Sequence, residues 1–90
     1  MEIKIEHQPS PEILQKLGVC KWIIWQKEIT KFPWTDDTQE TCYFLEGDVI
    51  VTPDSRQPIK IGKRDLVTFA SGMSCIWEIK GGVKKHYSAN

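Results

Sequence analysis

The chain has no apolar run approaching the roughly 20 residues that a membrane-spanning helix requires. It has no surplus of either charge, since twelve basic and twelve acidic residues cancel within ninety. Nucleic-acid binding draws on a clustered positive surface, whereas here the charges are interspersed. Near the C-terminus the adjacent pair Lys84-Lys85 reads as a solvated strand end rather than a phosphate site. Cysteine is scarce and odd in number: Cys20, Cys42 and Cys75 are widely spaced, with no C-x-x-C. That pattern argues against a disulfide framework and for a reducing compartment. Histidine is scarcer still, with His7 and His86 alone and no H-x-H. The start, Met1-Glu2-Ile3-Lys4, alternates charge with aliphatics and does not resemble a signal peptide. A cytoplasmic protein that engages neither membrane nor nucleic acid is expected.

What is present is aromatic. Four Trp, three Phe and two Tyr stand in a chain that is 40% hydrophobic. Large rings bury roughly 150–250 Å² each, enough to anchor a small core. Ninety residues are expected to make one domain, spanning 1–90.

One helix is punctuated clearly. Ser10 as N-cap, Pro11 at the first helical position, apolar Ile13, Leu14 and Leu17, and Gly18 beyond the last turn predict a short helix. Two turns are too few to stand alone, so the helix must pack against something. The rest reads as strands. Val19 to Glu28 is a β-rich run around Trp22, Ile23, Ile24 and Trp25. Thr41–Glu46 and Val49–Thr52 read as two strands joined by a tight hairpin at Glu46-Gly47-Asp48. A turn is predicted at 53–56. Short strands follow at Ile59–Ile61, Leu66–Phe69, Ser74–Ile79 and Val83–Tyr87, the last two separated by Gly81-Gly82. Short strands at intervals of about 8–12 residues, with Gly and Pro between them, indicate an antiparallel sandwich or barrel.

The fragments Lys21-Trp22 to Trp25, Phe32 to Trp34, Glu40-Thr41-Cys42-Tyr43, Asp65 to Phe69, Gly72 to Trp77 and Lys85-His86-Tyr87 keep a specific order and spacing. In them the chain resembles the small cupins of the cupin 3 group, whose relatives include ureidoglycine aminohydrolase domains and an ethanolamine-utilisation protein. The likeness runs from about Val19 to Tyr87. It implies an all-β fold, the double-stranded β-helix or jelly-roll barrel, with one short N-terminal helix. The departures bear on chemistry. A metal-binding cupin carries a His-x-His pair shortly before its Glu, and here 32–39 hold no histidine. The later motif histidine falls on Cys75, and Glu40 alone of the usual ligand set remains. Arg64 stands where a turn glycine is common and Ala70 where proline is.

Alternation along a strand puts Glu40, Cys42 and Phe44 on one face, and Cys75, Trp77 and Ile79 on another. The resemblance makes these the faces lining the barrel. The pocket expected from them holds Trp34, Glu40, Cys42, Tyr43, Cys75 and Trp77, with Asp36 nearby, while Trp22 and Trp25 fill the core. Glu40 and Cys75 would look at each other across it. Candidate catalytic groups are Glu40 as a desolvated acid, Cys75 as a nucleophile, and His86. No metal and no cofactor is expected from this donor set. Three functional readings stand: metal-free binding of a small molecule; a small enzyme acting on a nitrogenous metabolite, with or without a metal; and a homodimeric interaction module. For the last, Ile3-Lys4-Ile5 is the segment read as swapping or lengthening a dimer sheet.

Overall fold

The computed structural model describes residues 3–54 and 56–89. Seven strands form one antiparallel hydrogen-bonded sheet that bends onto itself. They are β1 (Ile3–His7), β2 (Ile23–Lys27), β3 (Thr30–Thr35), β4 (Glu40–Pro53), β5 (Ile59–Gly62), β6 (Asp65–Phe69) and β7 (Ser74–Ala89).

Two strands are far longer than expected. The predicted hairpin at Glu46-Gly47-Asp48 does not exist, and neither does a break at Gly81-Gly82. β4 runs through the first and β7 through the second, and the two pair along their length. Three register irregularities fall between Phe44 and Val49, where the strands bend from one layer into the other. Gly47 permits the bend. Its φ is 137°, and a Cβ there would lie 2.8 Å from Val83 Cγ2.

Below the bend the first layer runs β1-β6-β4-β7-β2, and beyond it β5-β4-β7-β3 makes the second. Registers give the inward rows. In the first layer these are Ile3–Phe69–Glu40, Ile5–Val67–Cys42–Tyr87–Ile23 and Phe44–Lys85–Trp25. In the second they are Ile61–Val49–Ile79–Thr30, Ile59–Val51–Trp77–Phe32 and Pro53–Cys75–Trp34. Cys42, Phe44, Val49, Val51, Val67 and Phe69 are fully buried. Trp77 joins the layers, with ring centroids 5.5 Å from Phe69, 6.3 Å from Phe44 and 6.3 Å from Trp25.

The helix α1 (Pro11–Leu17) forms as punctuated. Ser10 accepts the Ile13 N–H, and Gly18 closes the helix at φ 71° with its N–H on the Gln15 and Leu14 carbonyls. The chain then makes a 3₁₀ turn, Val19–Lys21, so the strand expected from Val19 starts only at Ile23. β3, unforeseen, carries Phe32 and Trp34. Arg64, where a glycine is common, does take the left-handed conformation at φ 71°. Its turn is held by Asp65, which accepts the Gly62 N–H at 2.8 Å. Ser55, within the turn predicted at 53–56, lies outside the described residues, although the Arg56 N–H reaches the Pro53 carbonyl. β1 pairs with β6 of its own chain. No helix among the described residues is long and apolar enough to cross a membrane.

Candidate functional site

Between the two layers lies a cavity of about 170 Å³, lined by Trp25, Phe32, Trp34, Glu40, Trp77, Lys85 and Tyr87. At roughly 30 Å³ per liquid water it has room for five or six, below the usual drug-sized pocket. Its walls are mostly aromatic, and the ion-paired Lys85 and Glu40 are among its lining residues.

The centre is Lys85, which is 5% exposed. The reading of Lys84-Lys85 as a solvated strand end is therefore corrected. Alternation turns Lys85 inward with Val83 and Tyr87, and its cross-strand neighbours are Trp25 on one side and Phe44 on the other. Its Nζ donates to Glu40 Oε1 at 3.4 Å and to Cys42 Sγ at 3.3 Å. The same nitrogen lies 4.5 Å from the Trp77 ring centroid, 4.9 Å from Trp25 and 5.7 Å from Phe44. Three ring faces, a carboxylate and a sulfur thus enclose one cation. The signal was present in Val83-x-Lys85-x-Tyr87. An apolar alternation cannot send both members of an adjacent lysine pair to water.

Cys42 is a thiol here, not a nucleophile. Burial, with Glu40 adding and Lys85 opposing, pushes its pKa up to about 12. It donates to Glu40 Oε1 at 3.1 Å. Asp36, just past β3, accepts the Trp34 indole N–H at 3.0 Å, and its backbone is fixed to Met73 and Gly72. Burial first, then the Glu40 charge, raise its carboxyl to about 6, against the opposing Trp34 bond and Lys85 charge.

The remaining sequence candidates divide plainly. Trp34, Glu40 and Trp77 line the cavity, and Cys42 closes its floor through Glu40 and Lys85. Trp25, expected as core filling, is a cavity wall. Cys75 faces inward from the layer opposite Glu40, but it is packed into the core beside Met73 and is not a lining residue. Burial, Asp36 and Asp54 push its thiol up to about 11, so no thiolate is prepared there. Tyr43 and His86 lie on the outer face. They pair with each other in the row Leu66–Tyr43–His86–Ile24, and the His86 ring bonds the Trp22 carbonyl at 3.1 Å. Alternation explains both, since each stands next to an inward residue.

A divalent ion needs several anionic or neutral lone-pair donors at one point. This cavity offers one carboxylate, already matched by an ammonium, and one thiol held protonated by burial. Among the described residues no three His, Cys, Asp or Glu side chains are placed to hold a metal ion. The donor set does not fit a metal.

Residues 14–87 match the EutQ-like cupin domain family. The chain belongs to the EutQ-like cupins. A DUF861 family protein from Thermotoga maritima is 49% identical over 99% of this chain and all of its own, with a TM-score of 0.95. A putative ethanolamine utilization protein Q from Salmonella typhimurium matches 73% of this cupin at 24% identity and TM-score 0.66. The Clostridium difficile EutQ protein matches 71% at 19% identity and TM-score 0.64. This cupin spans 53% and 50% of those two chains, and at such identity they show the jelly-roll fold alone. No curated protein sequence matches it.

Proposed function

We propose that this cupin binds a small organic molecule in its barrel without a metal. The supporting observation is the Lys85 ammonium, set between the faces of Trp25 and Trp77 and against Glu40, the one position the resemblance leaves of a metal cupin's ligand set. A fixed cation at that depth takes over the electrostatic place of a metal and cannot coordinate one. The cavity beside it is open enough to admit a ligand, because Trp34 at its edge is 51% exposed. Protein purified without chelator is expected to carry no stoichiometric metal. Finding manganese, iron, nickel or zinc at one per chain would sink the metal-free reading. A metabolite that binds should raise the melting temperature by several degrees at ten times its Kd, equally with and without EDTA. Glu40→Gln should abolish that shift.

A second reading rests on β2, whose outer edge is unpaired among the described residues. Ile23 and Ile24 on it are 63% and 48% exposed. An apolar sheet edge invites strand pairing, and homodimerisation along β2 would cover it. Light scattering across a dilution series tests this, with Ile24→Lys expected to give a monomer.

A further inference from the structure

Glu40 and Lys85 line the cavity, and Asp36, bonded to the lining residue Trp34, adds a second carboxylate whose charge acts on Glu40, so the charges around the cavity do not cancel. Lys85 is committed to Glu40 Oε1 and Cys42 Sγ, so Glu40 is matched. Asp36 is not. Its hydrogen-bond donor is the neutral Trp34 indole. The charged and titratable groups acting on it are Glu40 from β4 and Lys85 from β7, while its own charge bears on Cys75 of β7. Of the cavity walls, Trp25 and Trp77 are already covered by Lys85, and Phe32 lies 5.7 Å beneath the exposed, water-screened Lys27 ammonium. Among the described residues no cation lies over Trp34 or Tyr87. An anion entering past Trp34 would meet the surplus negative charge. A cation would meet that charge together with a ring face, which is the environment the barrel already provides for its own lysine.

Building on the reading of the cavity as a ligand site, we infer that its ligand is a small organic ammonium ion with an apolar or aromatic body, the charged end drawn to Glu40 and to the Asp36 charge beyond the cavity wall, and the body resting on Trp34 and Tyr87. A cavity of about 170 Å³ limits the body to the size of a single ring with a short arm. Binding is coupled to a proton. Below about pH 6 Asp36 is neutral and the surplus charge disappears, so affinity for an ammonium rises as pH increases through that value.

The test uses three probes of one shape and different charge: benzylamine, benzyl alcohol and benzoate. Each is titrated into the full chain at pH 7.5 while the indole N–H resonances of Trp34 and Trp77 are followed by NMR. Benzylamine is expected to move the Trp34 resonance and to bind about tenfold or more tightly than benzyl alcohol, with benzoate weakest. Its affinity should fall severalfold between pH 7.5 and 5 while that of the alcohol stays constant. Asp36→Asn should remove this pH dependence, and the three-probe ranking stands on the unaltered chain should that variant fold poorly. If the alcohol or benzoate binds as tightly as the amine, the ammonium assignment is overturned and the cavity remains a ligand site. If no probe moves either indole resonance, the cavity reading falls as well.

Discussion

The two halves of β7 make the same pattern from different chemistry. Before the bend, Cys75, Trp77 and Ile79 point inward and are dry. After it, Val83, Lys85 and Tyr87 point inward in the same alternation, and the middle residue is a charge. Eight positions separate Trp77 from Lys85, yet the fold sets the ammonium 4.5 Å from the indole ring. An inward position, then, does not require an apolar residue. It requires partners, and Lys85 finds them in Glu40, Cys42 and three rings because the facing half of its own strand supplies the largest.

Breaking the dry half should cost most. Trp77→Ala removes a ring packed against Phe32, Phe44, Phe69 and Trp25, and is expected to lose about 3–5 kcal/mol in urea denaturation. For a domain this small that is a large part of the total. Lys85→Met keeps the volume but strands Glu40 beside Asp36. With Glu40 still partly reached by water, a loss of about 2–3 kcal/mol is expected, mostly restored in the Glu40→Gln/Lys85→Met double variant. Failure of the double variant to recover would show that the lysine acts through packing rather than charge. Gly47→Ala strikes the bend that lets the halves face each other. Positive φ and the clash with Val83 together should cost about 2 kcal/mol, against about 1 kcal/mol for Gly72→Ala, where φ is also positive but nothing lies within 4 Å.

A further effect has the opposite sign. Folded Asp36 keeps its proton up to about pH 6, whereas the unfolded chain releases it near 3.8. Between those values the folded state binds more protons, so stability falls as pH rises, and the full penalty is present above pH 6. Asp36→Asn keeps an acceptor for Trp34 and removes the penalty. A gain of about 1–2 kcal/mol at pH 7.5 is expected, shrinking to nothing near pH 3. A thermal-melt series in pH checks it.

Much of the fold was readable. Ser10, Pro11 and Gly18 marked the helix because capping is local chemistry. Glycines at 47, 81 and 82 misled, because the same residue that closes a hairpin also lets two long strands cross closely. Only the partner strand distinguishes the cases. Of the site, Trp34, Glu40 and Trp77 followed from alternation and the family's motifs. Cys75 followed the same alternation inward but sits outside the cavity, since depth along a barrel is not encoded in parity.

The sequence by itself determined an antiparallel β fold and the cupin motifs, because composition, spacing and caps act over a few residues. Tertiary structure alone decided that Lys85 is buried, that Asp36 lies close enough to Glu40 for their charges to interact, and that Trp25 is a wall rather than filling. Those facts depend on which layer faces which across the barrel. That is set where β4 and β7 bend together, far along the chain from the side chains they bring into contact.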